Sequence, residues 1–170
     1  AASDVYKRQI LVVYENYEMM EKGRAIFSSC KDSAYMIKSF QDNTDTDRSW
    51  NWISENLVAA RAWTNNTAFA KYNFNIEPGH ESDYMNSWKN FMSSQLNTFD
   101  GSFGLNRIAY GNRYVSHMVY LGADSMDKLD KGIKSATSSK EFMDFASDVS
   151  SIRQNINVEL VQLVKFYTGE

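Results

Sequence analysis

The chain has 170 residues, enough for one medium domain or two small ones, and its 43% hydrophobic and 23% charged residues are those of a folded globular protein. Eighteen basic against 21 acidic side chains leave a net charge of -3, which gives no electrostatic footprint for nucleic acid or an anionic membrane. One cysteine and two histidines argue against an internal disulfide, a cysteine-rich zinc site and a histidine-rich metal centre, and no apolar run approaches the roughly 20 residues of a membrane helix.

Ala1–Gln9 reads AASDVYKRQ and resembles the translation of a sequencing adapter. The expectation is that native sequence starts near Ile10, that any leader is lost with the start, and that localisation stays open. Ile10–Tyr14 is β-branched and aromatic and predicts a strand. Tyr17–Ser29 predicts a helix, and Tyr35, Met36, Ile37 and Phe40 predict a second. Asp42–Arg48 is a polar break. Its Asp45 and Asp47 resemble a calcium loop, but the sixth and twelfth positions hold Trp50 and Asn56 where Gly and Glu are needed, so a solvated loop is expected. Leu57–Trp63 returns to strand composition.

Further on, Ala68, Ala70, Tyr72, Phe74 and Ile76 alternate with Lys71, Asn73 and Asn75, which predicts a half-buried strand ended by Pro78-Gly79. Tyr84, Trp88, Phe91, Met92 and Leu96 then form the stripe of an amphipathic helix. Leu105–Tyr110 and Tyr114–Leu121 predict two strands joined through Gly111-Asn112-Arg113. Met126, Leu129 and Ile133 begin a helical region, and Ser138-Ser-Lys-Glu141 has the form of a capping box that restarts it. Val158–Tyr167 predicts a last strand. Over residues 68–168 the order is therefore βαββαβ, the ferredoxin-like plan, and the fold class is α+β.

An internal repeat precedes it. A shift of 106 places Val12–Asp42 over Met118–Asp148 with seven identities: Val13/Val119, Tyr14/Tyr120, Met20/Met126, Lys22/Lys128, Ser29/Ser135, Ser33/Ser139 and Asp42/Asp148. Chance supplies about two. Residues 10–63 therefore read as the C-terminal βαβ half of a first, truncated ferredoxin-like copy, and 68–168 as a complete one.

Strand Phe69–Ile76, Glu77-Pro-Gly-His-Glu81 and the helix with Trp88, followed by Tyr114–Tyr120, Gly122-Ala-Asp-Ser125 and the helix start at Ser139-Lys-Glu-Phe142, resemble the dimeric α/β-barrel superfamily. This group includes antibiotic-biosynthesis-monooxygenase-like, stress-responsive and NIPSNAP-like proteins. The resemblance covers about the last hundred residues. It implies two ferredoxin-like sheets facing each other, by homodimerisation or by intramolecular pairing of tandem repeats, and a small apolar or aromatic ligand held between sheet and helices. It also raises haem as an option, for which His80 is a weak axial nominee; no cofactor is assigned.

His117 is the one candidate catalytic residue. Mid-strand beside Val115 and Val119, it serves either as a general base for a phenolic or enolic substrate or as a hydrogen-bonded core residue. Tyr72, Trp88, Tyr110 and Tyr120 are candidate ligand-lining aromatics, and Asn73 and Asn106 candidate polar contacts; each reads equally as core or solvated surface. Cys30, with only Lys31 as a basic neighbour, is expected to be a small buried residue. No phosphate loop and no metal site are read. Two functions remain open: a small-ligand-binding or interaction protein without catalysis, or a cofactor-independent oxygenase, isomerase or cyclase.

Overall fold

A computed structural model describes residues 8–44 and 51–167. The chain divides into two compact units, residues 1–49 and 50–170. The start of the adapter-like stretch and most of the polar break after Asn43, including both calcium-loop aspartates, lie outside the described residues. No helix among the described residues is long and apolar enough to cross a membrane.

In the first unit, helix α1 (Tyr17–Ser29) is capped by Asn16, whose side-chain oxygen accepts from the Met19 N–H at 2.9 Å. Glu18 and Lys22, one turn apart, pair at 2.6 Å. Helix α2 (Ser33–Asn43) follows after a three-residue turn. Tyr14 lies against Gly23, where a Cβ would come within 2.7 Å of the ring, so the glycine is what lets the tyrosine fold back onto α1. The expected strand over Ile10–Tyr14 does not form. Ladder hydrogen bonds stabilise a strand only when a partner supplies them, and here Ile10–Val13 remain 61–70% exposed. Cys30, expected to be buried, is exposed, because it closes α1 instead of lying on a packed face.

The second unit is one antiparallel sheet with three helices. Strand β1 (Ile53–Ala60) leads through a short 3₁₀ turn to β2 (Ala68–Ile76), α3 (Glu81–Gln95), β3 (Ser102–Tyr110), β4 (His117–Ala123), α4 (Met126–Thr137), α5 (Lys140–Val149) and β5 (Arg153–Gln162). The strand order is β1-β3-β4-β2-β5, with every neighbouring pair antiparallel. Removing β1 leaves β3-β4-β2-β5, the ferredoxin-like order predicted for residues 68–168. β1 lies four residues earlier than its composition indicated, and β5 five. The second shift has a plain cause: β5 is an edge strand, largely exposed on both faces, so no alternation marks it.

Period-2 alternation sends one set of side chains to the helices: Ala68, Ala70, Phe74 and Ile76 from β2, Phe103 and Leu105 from β3, Val119 and Ala123 from β4. The α3 stripe of Tyr84, Trp88, Phe91 and Met92 packs on them as predicted, with Leu129 of α4 and Phe145 and Val149 of α5. Phe145 is the hub of this core. It meets Tyr84 and Trp88 edge-on at 5.8 Å and stacks on Phe91 at 5.3 Å. The α5 cap is Ser139, one residue beyond the capping-box serine expected, with its hydroxyl accepting from Phe142 N–H at 3.1 Å. Arg61, in the left-handed region at φ 62°, donates to the carbonyls of Leu96 and Phe99 at 2.6 and 2.5 Å and so satisfies the open end of α3.

The two units share a local construction. Ser33, between α1 and α2, donates its hydroxyl to the Cys30 carbonyl at 2.8 Å; Ser139, between α4 and α5, donates to Ala136 at 2.7 Å. Lys22 bonds Glu18 and Lys128 bonds Asp124, again 106 residues apart.

Candidate functional site

The sheet has two faces, and the predicted site residues fall on both. Tyr72, Trp88 and His117 lie on the helix side. Trp88 is buried in the aromatic core, and its indole N–H has no hydrogen-bond partner there. Tyr72 is half-buried against the same core, and burial pushes its hydroxyl pKa up. Tyr84, which the sequence reading placed only in the helix stripe, is buried beside Arg153; burial pushes its pKa up to about 12, against the opposing pull of the guanidinium.

His117 is 3% exposed and stacks on Phe74 with ring centres 6.1 Å apart. Its Nδ1 lies 2.9 Å from the Ser116 hydroxyl, while Nε2 has no partner among the described residues. Burial lowers its pKa, partly countered by the Glu81 carboxylate and reinforced by Arg107. The imidazole is thus neutral at neutral pH, with an aromatic wall rather than an open cleft beside it.

Asn73, Asn106 and Tyr120 lie on the other face, which carries none of this unit's three helices and is the helix-free face of the unit. The register sets Met118 between Asn73 of β2 and Asn106 of β3, and Tyr120 between Lys71 of β2 and Gly104 of β3. Two glycines let large rings lie across this face. A Cβ on Gly104 would collide with the Tyr120 ring, and one on Gly122 would meet Phe69 at 2.5 Å. Burial raises the Tyr120 hydroxyl pKa, so the phenol stays protonated.

Lys71, Glu159, Asn157 and Trp52, none of them among the predicted site residues, complete the face. Lys71 and Glu159 of β5 form an ion pair at 3.1 Å, with side chains only 12% and 29% exposed. The Lys71 ammonium also sits 5.6 Å from the centre of the Trp52 ring, at the entry to β1. Asn73 donates its amide to Asn157 at 2.6 Å. Asn106 differs from all of these: its side-chain oxygen is buried with no hydrogen-bond partner among the described residues. A buried acceptor in that state costs about 1–3 kcal/mol unless a donor arrives. Met118 beside it is buried yet stands outside the helix-side core. Tyr110, at the end of β3, is well exposed and joins neither group. Register alone pointed to Lys71 and Glu159, since Lys71 already read as facing away from the core; Trp52 had no such signal.

Among the described residues no group of three or more His, Cys, Asp or Glu side chains has the geometry to hold a metal ion. His80 has its Nδ1 3.0 Å from Asp83 at the start of α3.

No family model matches the chain, and no curated protein does. Solved structures do. An anthrone oxidase-like protein matches 84% of the chain and 68% of its own length, with a TM-score of 0.54 at 9% identity. A monooxygenase candidate from Fusobacterium nucleatum matches 88% and 64%, with 0.53 at 12% identity. Another from Lactobacillus acidophilus matches 82% and 63%, with 0.51 at 8% identity. The chain thus spans about two thirds of the length of each. Residues 50–170 are roughly seven tenths of the chain, so each match also extends into the first unit. At these identities the likeness is one of fold: the chain shares the ferredoxin-like α+β architecture of these structures.

Proposed function

We propose that the chain is a small-ligand-binding protein on a dimeric α/β-barrel scaffold, and that the ligand lies on the helix-free face between Asn106 and the Lys71–Glu159 pair. The single observation that carries this reading is the buried, unpartnered oxygen of Asn106. A ligand with a hydroxyl or N–H donor satisfies it, while Met118 and the Tyr120 ring offer flat apolar surface to the rest of the molecule. An aromatic ligand carrying one donor fits both demands. No catalytic step is assigned to these residues.

The test is a titration with polycyclic phenols such as 2-naphthol, read by tryptophan fluorescence. Asn106→Leu is expected to weaken binding about two- to twelvefold, the equivalent of one neutral hydrogen bond. Equal affinity in wild type and variant overturns the proposal.

One observation favours a second reading, a cofactor-independent oxygenase, isomerase or cyclase with His117 as base: its buried Nε2 is free to take a proton. In that case the phenol binds on the helix side, and His117→Gln, not Asn106→Leu, abolishes turnover.

We further infer that residues 10–63 are the C-terminal half of a first repeat. The Ser33/Ser139 and Glu18–Lys22/Asp124–Lys128 correspondences support it, as does the order helix, helix, strand that α1-α2-β1 shares with α4-α5-β5. Genomic sequence upstream of the Ile10 codon is expected to encode strand, helix and strand. An unrelated domain there contradicts it.

A further inference from the structure

Where β2 leaves the sheet and β5 enters it, the two segments run side by side. Ile76 pairs with Arg153, and the Glu77 N–H donates to the Ile152 carbonyl at 2.9 Å. A cleft of about 320 Å³ opens here, lined by Glu77, Pro78, Ile152, Arg153 and Gln154 among others. That volume lies at the small end of the range for ligand pockets.

Arg153 sets this cleft apart. Of the described arginines it alone is half-buried; the others are exposed. Its register with Ile76 turns the side chain to the helix side. There the guanidinium lies 5.6 Å from the centre of the Phe145 ring and hydrogen-bonds the buried Tyr84 hydroxyl. That hydroxyl is no counter-ion: with its pKa pushed up to about 12, it is neutral at neutral pH. Arg61 and Arg107 pair with the carboxylates of Asp100 and Glu55, whereas Arg153 has no carboxylate partner among the described residues. A guanidinium carries five N–H donors in a rigid fork, and the Tyr84 oxygen occupies only part of it. A partly desolvated charge without a counter-ion is costly, and an anion in the cleft offsets that cost.

We propose that this cleft is a second ligand site, and that it takes a small organic monocarboxylate gripped by the open part of the Arg153 fork. A planar carboxylate matches two parallel N–H donors. Glu77 adds a negative charge to the same cleft, so a phosphate dianion is repelled more strongly than a carboxylate bearing one charge. Pro78 and Ile152 offer apolar surface to the rest of the molecule. The cleft shares no residue with Asn106 or the Lys71–Glu159 pair, so this inference stands apart from the reading above.

The test is a titration of the ¹⁵N-labelled 170-residue chain with sodium benzoate at constant ionic strength, read at the backbone amides of Glu77 and Gln154. Wild type is expected to shift saturably. Arg153→Met is expected to weaken binding about ten- to hundredfold, the loss of a charge-assisted hydrogen bond. Arg153→Lys keeps the charge, loses the fork, and falls between the two. Glu77→Gln leaves the Arg153–Tyr84 contact intact and is expected to tighten binding at least about twofold, which holds even if Arg153→Met folds poorly. Arg113→Met, on the exposed turn between β3 and β4, leaves affinity unchanged. The proposal is overturned by a wild type that does not saturate, by equal losses in Arg113→Met and Arg153→Met, or by a Glu77→Gln variant that binds no more tightly. Inorganic phosphate that binds as tightly as benzoate overturns it too. Benzoate has no donor for Asn106 and 2-naphthol no carboxylate for Arg153, so failure of one titration leaves the other standing.

Discussion

The two faces of the sheet solve the problem of buried polar groups in opposite ways. On the helix side, aromatic rings fill the space, and the buried side-chain polar atoms left unpaired there among the described residues are single nitrogens on Trp88 and His117. On the helix-free side, polar side chains that are half-buried or exposed are mostly paired with one another: Lys71 with Glu159, Asn73 with Asn157. Packing dominates the first face and hydrogen bonding the second. Large stability effects should therefore follow truncation of helix-side rings, and specific binding effects should follow substitution on the other face.

The comparison breaks first at Phe145. It touches Tyr84, Trp88 and Phe91, so Phe145→Ala is expected to cost about 3–5 kcal/mol in a urea melt. A cost below about 1 kcal/mol would mean that the helix side is loosely filled and open to a ligand.

His117 sharpens it next. His117→Ala is expected to cost roughly 1–3 kcal/mol through the lost ring packing on Phe74 and the lost Ser116 bond. The sign of the pH effect follows from burial, which holds the folded-state pKa below the ordinary 6.5. The unfolded chain binds the proton first, so this contribution is complete above about pH 6.5 and is lost as the pH falls toward the folded-state pKa. Denaturation midpoints of wild type are expected to drop through that window, and those of His117→Gln to stay flat. An imidazole that instead gains stability on acidification has an anionic partner and a different role.

On the helix-free face, Glu159→Gln is expected to cost about 1–2 kcal/mol, between the values for exposed and fully buried pairs, because Lys71 is 12% exposed. At the small end, Lys134→Ala removes a solvent-facing helix pair with Asp130 and is expected to change stability by no more than about 0.5 kcal/mol. Urea midpoints that rank these two in the reverse order would show that the helix-free face is wetter than its register implies.

Much of the fold was legible where one face is buried. The alternation of Ala68–Ile76 and the Tyr84–Trp88–Phe91 stripe gave both elements and their inward faces, because burial imposes a period on the sequence. Legibility failed where burial does not act. Ile10–Tyr14 has strand composition but no strand partner among the described residues, and β5 is an edge whose apolar run, Val158–Tyr167, continues past the strand. The site was legible as residue types but not as a place. Tyr72 and Asn73 are neighbours in sequence yet face opposite sides of the sheet, and only the pairing of β3 with β4 brings Asn106 beside Met118. Trp52 reaches Lys71 from the far edge, a contact that no local pattern encodes.

The central claim, that ligand binds on the helix-free face, turns on two buried orphans on opposite sides of one sheet: the Trp88 indole N–H and the Asn106 amide. A titration of ¹⁵N-labelled protein with 2-naphthol reports on both in one spectrum. The account predicts that the side-chain amide signals of Asn106 and Asn73 shift saturably while the Trp88 indole signal stays in place. A shift of the Trp88 indole with the Asn106 amide unmoved would contradict it.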